Sequence, residues 1–398
     1  MTVVLDSRHA TAGGHGSRRR DPRARLRILT STEFLEPVGG IELCLDEDTR
    51  ALVADGHAVE ILYARDGSMR RGFEAEGVRM TGPFSFLFRP NHALRDLARF
   101  VRAARAARRS HADVLWLNRP EYLVWGQVVA RIARLPLVVH LHHAPNYNNL
   151  GLLSRRVARF VAVSDYMKQE WVDRGIPEDR VAVVPNAVPP DKYPFADLSD
   201  EAEAKIALGV DPGTRVALYL GRLVESKGVA TLLDAWRGLG LAPSKAVLVL
   251  AGSDADGPIA QLLSAMPEGS VRVLPVQSDV LPLLTAADVV VSPSIAPEGF
   301  GRVLVEAMST GRPAIGTRQG GMVDVLTGEM APMLVIPGDA EGLATRLSQL
   351  LDWHESDPLL GLRCRAFVET HFSYERHVDD LENVLMAASA ARKAPVNR

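Results

Sequence analysis

Two doubly wound α/β domains facing each other across a cleft are predicted for this chain, on three observations. At 398 residues it exceeds the length over which a single hydrophobic core keeps growing. Short apolar runs alternate with helix-period stretches from residue 26 onward, the pattern of βαβ units on parallel sheets. The third observation is the stretch 292–321, SPSIAPEGFGRVLVEAMSTGRPAIGTRQGG. An apolar strand over 288–291 runs into Ser292 and Pro293, and the turn Glu298-Gly299-Phe300-Gly301 opens a helix over about 302–309. Gly311 and Pro313 stop that helix, and a strand over 314–316 leads to a second tight turn at Gly320-Gly321. Glycine lets the backbone approach a ligand closely, and the unbonded N–H groups of a helix's first turn make an anion site. Glu298 in the loop and Glu306 in the helix stand where folding needs no acid.

Composition bounds the class. Hydrophobic residues at 47% and charged residues at 24% are those of an ordinary globular protein. The formal net charge is −2, but residues 1–190 carry 28 Lys+Arg against 21 Asp+Glu and the remainder 18 against 27, so the halves differ in sign. A basic N-terminal half suits an anionic acceptor or a membrane surface, or is a solvated face rich in arginine; no nucleic-acid partner is expected. Two cysteines, Cys44 and Cys364, argue against a disulfide framework and for a reducing compartment. Residues 1–24 hold Gly13-Gly14 and Arg18-Arg19-Arg20 without an apolar h-region and read as a disordered leader. No run of about 20 apolar residues is present, so the expected location is cytoplasmic.

In chain order, a strand over 26–29 is followed by Gly39-Gly40, a helix ending near residue 54, the closing pair Gly56-His57 and a strand over 58–63. Gly39-Gly40 is either a plain strand-to-helix turn or a ligand loop. Residues 94–109 form an amphipathic basic helix, with Leu94, Leu97, Val101 and Ala104 on its apolar face and six arginines around the rest. Packing on the sheet with solvated arginines is favoured over peripheral membrane docking. Strands over 114–117 and 137–141 follow, the second ending in His140, His142 and His143. With no cysteine or suitably spaced carboxylate beside them, these imidazoles do not make a metal site. His140 is assigned to the opposite face and a structural place. The amide-rich run Asn146-Tyr147-Asn148-Asn149 suits a hydroxylated acceptor better than an acyl chain. Strands over 161–164 and 181–186, a stiff crossing at Pro189, Pro190 and Pro194, and a helix over 197–209 lead to the second domain.

There a strand over 216–220 runs into Gly221-Arg222 and Lys227-Gly228, where a planar fork and a point charge at a strand end make a phosphate site. A strand over 246–250 ends at Gly252 and the Asp254-x-Asp256 pattern, read as an enlarged glycine turn rather than a metal site. A strand over 271–274 leads to Val276, Gln277 and Ser278. Pro337-Gly338-Asp339 caps a helix, and Phe372-Ser373-Tyr374 introduces the last one.

Glu298-Gly299-Phe300-Gly301, Glu306-Ala307-Met308, Gly311-Arg312-Pro313, Gly320-Gly321 and Asp324 in this order resemble the Glu-x7-Glu region of family-4 retaining glycosyltransferases of the GT-B fold. Arg302 stands where that family has a small or aliphatic residue, and Asp324 where a glutamate is common. The resemblance implies two Rossmann-like domains: an acceptor-side domain over 25–189, a nucleotide-sugar domain over 190–372, and a helix over 373–390 crossing back onto the first. It implies that Gly39 and Gly40 lie beside the donor phosphate and that His142 reaches the transferred sugar. Arg222 and Lys227 become a diphosphate clamp, and Val276 and Gln277 carry main-chain contacts to the nucleobase. Gly299, Phe300, Gly301, Arg302 and Glu306 complete the donor site, with Glu306 on the ribose and Glu298 on the sugar hydroxyls. His143, Asn146, Tyr147 and Asn148 are assigned to the acceptor. No cofactor or metal is required, because Arg222, Lys227 and the helix N-terminus after Gly301 supply the positive charge. The expected reaction moves a hexose-type sugar from a UDP- or GDP-sugar to a hydroxylated small molecule or glycan. A bias of 40 arginines to 6 lysines points to a GC-rich genome and to secondary-metabolite or envelope glycan biosynthesis. The alternatives are a GT-B nucleotide-sugar epimerase and a transferase acting on a membrane lipid. A nicotinamide dehydrogenase is disfavoured, since no Gly-x-Gly-x-x-Gly follows the first strand.

Overall fold

The computed structural model describes residues 25–37, 39–145, 150–253, 255 and 257–393. The leader 1–24, the loop residues Asn146, Tyr147, Asn148 and Asn149, and both acids of the Asp254-x-Asp256 pattern lie outside the described residues.

Two parallel sheets carry the chain. The first is built from β1 (Arg27–Phe34), β2 (Ala58–Arg65), β3 (Arg79–Thr81), β4 (Val114–Leu117), β5 (Leu137–Leu141), β6 (Val157–Ala162) and β7 (Val181–Val183), in the order β3-β2-β1-β4-β5-β6-β7. The second holds β8 (Arg215–Leu220), β9 (Ala246–Ala251), β10 (Val271–Leu274), β11 (Val289–Ser292), β12 (Ala314–Thr317) and β13 (Leu334–Val335), in the order β10-β9-β8-β11-β12-β13. Both sheets reverse their winding direction next to their first strand. The connections leaving β1 and β4, and those leaving β8 and β11, therefore diverge and open a crevice at the carboxyl ends of the strands. The central strands β4, β5 and β9 are buried on both faces, which explains their nearly continuous apolar reading. Ile28, Trp116 and Val138 pack with Leu45 and Leu52 of the helix Gly40–Ala54 and with Leu381 and Leu385 of the C-terminal helix. Leu29, Leu117 and Val139 pack on the other face with Phe100 and Trp125.

Several elements depart from the local reading. β1 runs on to Phe34, because Thr30, Ser31 and Thr32 keep their pairing with β2 although they end the apolar run. β6 starts at Val157, and Ser164 belongs to the next helix, Asp165–Val172, whose Met167 N–H donates to Ser164 Oγ at 3.0 Å. The basic helix Ala93–Arg109 is rotated from its expected face: Leu94 is 88% exposed, and Phe100, Ala103, Ala104 and Ala107 form the buried stripe. Asp96 turns inward and accepts from the Arg89 backbone N–H at 3.0 Å, so the helix presents its alanines, whose small side chains permit close packing on the helix Leu123–Ala133. No helix among the described residues is long and apolar enough to cross a membrane.

Two buried ionic clusters fasten the ends of the domains. In the second domain Lys205, fully buried, sits 2.7 Å from Glu201 Oε1 and 2.8 Å from Asp288 Oδ2, and Arg312 lies 2.8 Å from Glu201 Oε2. Glu201, Asp288 and His354 are close enough to hold a metal ion, but the Lys205 ammonium already lies against both carboxylates and supplies the cation. In the first, the C-terminal helix Tyr374–Lys393 packs on β4, β5 and β6, and its His377 bonds Pro185 O at 2.7 Å and Asp48 Oδ1 at 2.9 Å. Both partners only accept, so both ring nitrogens donate and the ring is an imidazolium. Burial opposes that charge, but Asp48 outweighs it and raises the His377 pKa above its usual range.

Candidate active site

The loops at the strand ends of the second domain are shaped by close backbone approach. After β8, the Tyr219 hydroxyl donates to Arg222 O at 2.6 Å and pins the loop, while the exposed Arg222 side chain makes no hydrogen bond among the described residues. A short turn, Glu225–Lys227, follows, and Gly228 takes a φ of +72° with its Cα facing Pro293: a Cβ there would stand 1.8 Å from Pro293 O. Only glycine lets this turn lie against the loop after β11. Lys227 Nζ thereby comes within 2.9 Å of Glu298 Oε1, and Ser294 Oγ donates to the same oxygen. The second glycine turn lies beneath, with Gly321 N–H donating to Glu298 O at 2.8 Å.

Beyond Glu298, Phe300 is buried and packs edge-on against Phe372 at a centroid distance of 5.6 Å, so its side chain supports the loop from the core. Helix Arg302–Ser309 begins after Gly301. Glu306 accepts at Oε1 from Tyr193 Oη at 3.1 Å and from Arg302 Nε at 2.6 Å. Arg302, expected among the donor contacts, instead spends its guanidinium inside the protein, on Glu306 and on Glu47 of the first domain at 2.8 Å. Val276 is 59% exposed in the loop after the edge strand β10, beside Gln277, whose amide donates to Pro275 O at 2.8 Å. No hydrogen bond joins these two to the Glu298 loop among the described residues.

On the first domain, Gly39 and Gly40 open the helix Gly40–Ala54, with Glu42 in its first turn paired to Arg119. Asn118 Nδ2 donates to Ile41 O at 3.2 Å, which orients the amide so that Oδ1 accepts from His142 Nε2 at 3.0 Å. His142 is therefore the Nε2–H tautomer, with Nδ1 left as an acceptor. Burial, reinforced by neighbouring imidazoles and Arg119, holds its pKa well below the ordinary range, so the ring is neutral. His140 does not point away from it: the rings lie 4.1 Å apart, because residues two apart on a strand share a face. His143 Nε2 lies 3.0 Å from Glu121 Oε2; burial disfavours its charge, but Glu121 outweighs burial and raises the pKa.

The two halves meet at the Glu298 loop. A Cβ on Gly299 would stand 2.1 Å from His142 O, Ser164 Oγ donates to Gly299 O at 2.7 Å, and Tyr166 N–H donates to Asp324 Oδ2 at 2.8 Å. Lys227, Glu298, Gly299 and His142 are thus brought together from opposite domains. Asn118, Arg119, Glu121 and Tyr193 were not singled out by residue type; the position of Asn118 and Arg119 just past β4, beside the winding reversal, was the available signal.

Residues 38–192 match the family model described as Glycosyltransferase Family 4, and residues 214–352 the model described as Glycosyl transferases group 1. The chain is 28% identical over 309 residues to N-acetyl-alpha-D-glucosaminyl L-malate synthase of Bacillus anthracis, covering 73% of this chain and 78% of that protein. It is 29% identical over 272 residues to the phosphatidyl-myo-inositol mannosyltransferase of Mycolicibacterium smegmatis, covering 65% and 67%. Among solved structures, that of Anabaena HepE in complex with UDP and glucose superposes with a TM-score of 0.78 at 24% identity over 91% of this chain and 99% of that one, a likeness of fold.

Proposed function

The chain belongs to the family-4 glycosyltransferases of the GT-B fold, and from that premise we propose that it transfers a hexose-type sugar, with retention, from a UDP- or GDP-sugar to a hydroxylated, carbohydrate-like acceptor. The observation that carries this reading is the pairing of Lys227 with Glu298, whose neighbour Gly299 abuts His142 O of the first domain, while Arg222 stands exposed on the loop after β8. In this reading the two cations meet the leaving diphosphate, and the Glu298 carboxylate holds Lys227 in place. UDP is placed first because HepE, of the same fold, is bound to UDP and glucose.

In the proposed reaction the acceptor oxygen attacks the anomeric carbon on the face the diphosphate leaves. The bond from that carbon to the phosphate oxygen breaks, the bond to the acceptor oxygen forms, and the acceptor proton passes to the departing phosphate oxygen. Arg222, Lys227 and the helix N-termini after Gly39 and Gly301 stabilise the charge that develops, without a metal. Glu298 orients the sugar hydroxyls. His142, neutral, accepts from a sugar hydroxyl at Nδ1. Glu306 holds the ribose, and the main chain at Val276 and Gln277 meets the base. His143 and Glu121 face the acceptor. Secondary-metabolite or envelope glycan biosynthesis is the setting proposed.

A thermal-shift screen of UDP- and GDP-sugars identifies the donor, since a ligand of the native state raises its melting temperature. The product is then formed in EDTA with hydroxylated acceptors, and its anomeric configuration is read by NMR. Retention in EDTA is expected. Inversion, an epimerised sugar formed from donor alone, or loss of activity restored by Mn²⁺ would each overturn the reading.

A further inference from the structure

Arg302 is the first residue of the helix that carries Glu306, yet its side chain leaves its own domain. Nε donates to Glu306 Oε1 at 2.6 Å, Nη2 to Glu47 Oε1 at 2.8 Å, and Nη1 to Cys44 Sγ at 3.4 Å. Cys44 and Glu47 lie on the helix that Gly40 begins, and a Cβ on Gly40 would stand 3.8 Å from Arg302 Cδ. The Arg302 stem thus lies over the start of the first domain's phosphate-side helix, and its fork joins that helix to the Glu306 carboxylate. All three side chains are buried, Arg302 to 9%, Glu47 to 3% and Glu306 to 5% exposure.

The elements that pass between the domains end on the same triad. Lys192 Nζ, in the linker, lies 2.8 Å from Glu47 Oε1; Tyr193 Oη donates to Glu306 Oε1; and Tyr374 Oη, at the start of the C-terminal helix, donates to Glu47 O at 2.8 Å. Arg302 and Tyr193 both bind Oε1 of Glu306, and no hydrogen bond reaches Oε2 among the described residues. Two carboxylates therefore share one guanidinium, and the Nη2 that Glu47 takes is not available to Glu306. A planar fork with five N–H groups can serve both at once, which an ammonium cannot do in one geometry.

We infer that Arg302 is a positioning residue: Glu47 of the first domain draws its fork away from Glu306, leaving Oε2 open to the ribose, so that nucleotide affinity depends on the seating of the two domains. This rests on the assignment of Glu306 to the ribose. When Glu47 is lost, the guanidinium turns its second N–H onto Glu306 and covers Oε2, in the bidentate arrangement arginine and carboxylate prefer. Glu47 then controls a ligand it does not touch.

The test is calorimetric titration of the full chain with UDP and with GDP, for wild type, Glu47→Gln, Glu306→Gln, Arg302→Met and the pairwise combinations, with melting curves to check folding. Glu47→Gln is expected to weaken the bound nucleotide about fivefold or more, the scale of coupling between residues in contact. The same change is expected to have less than about a twofold effect in the Arg302→Met and Glu306→Gln backgrounds, where no fork can cover the carboxylate. General loosening of the fold would lower the melting temperature but would not cancel in those backgrounds. Should Arg302→Met fold poorly, Arg302→Lys replaces it and is expected to cancel the Glu47 effect likewise. An unchanged affinity in Glu47→Gln, or an effect undiminished without the guanidinium, overturns the coupling alone while Glu306→Gln still weakens binding. If wild type takes up neither nucleotide, or Glu306→Gln binds as wild type does, the ribose assignment fails and takes the coupling with it.

Discussion

At the scale of single residues, the site is a set of charges whose neighbours decide what each can do. Lys227 is held by Glu298 at 2.9 Å, whereas Arg222 has no side-chain partner among the described residues and is free to swing onto a diphosphate. In the proposed reaction both act on charge that exists fully only as the bond to the phosphate breaks. Alanine at either position is accordingly expected to lower turnover at saturating donor about 10²-fold, the usual loss when one preorganised donor is removed. Near-normal turnover in both variants, with circular dichroism unchanged, would remove them from the mechanism. His142 and His143 show how neighbouring positions diverge. Buried against Asn118, the first is neutral; beside Glu121, the second has its pKa raised.

Among the elements, the C-terminal helix is docked through a titratable pair. His377 is an imidazolium between Pro185 O and Asp48, with its pKa raised above the unfolded value of about 6.5. A raised folded pKa means the contribution to stability is complete below about pH 6.5 and is lost as pH climbs through the folded value. Breaking a buried pair of this kind costs about 3–5 kcal/mol. The melting temperature of His377→Gln should therefore fall well below that of wild type near about pH 6, and the gap should narrow by about pH 9.5. A gap that stays constant or widens with pH would show that the ring is not charged in the native state. Helix Ala93–Arg109 makes a different point at this scale: its leucines predicted one buried face, and the alanines, with Asp96 tied to Arg89, took it.

For the whole molecule, the proposed reaction depends on how closely the domains meet. Gly299 lies hard against His142 O, where an added Cβ would stand only 2.1 Å from that oxygen. Because those atoms belong to different domains, Gly299→Ala can relieve the clash by opening the cleft without unfolding either half. Its turnover is expected to drop about 10²-fold, as misplacement by an ångström does, with a larger radius of gyration by X-ray scattering and little change in melting temperature; full activity would place the chemistry elsewhere. Local signals in the chain determined the alternation of strand and helix, the stops at Gly311 and Pro313, and the order of glycines and acids from Glu298 to Gly321, since each depends on residues a few positions apart. The doubly wound architecture of both domains was legible too, since βαβ units with right-handed crossovers leave few alternatives, but the strand order of each sheet came with the structure. Only the tertiary structure decided that Arg302 faces Glu47, that Lys205 is buried between Glu201 and Asp288, that His140 lies against His142, and that His377 meets Asp48. An exposed charge and a buried, paired one look alike in a sequence. What separates them is a partner that, for Arg302 and Glu47, lies 255 residues away and is reached only when two sheets and a returning helix have packed.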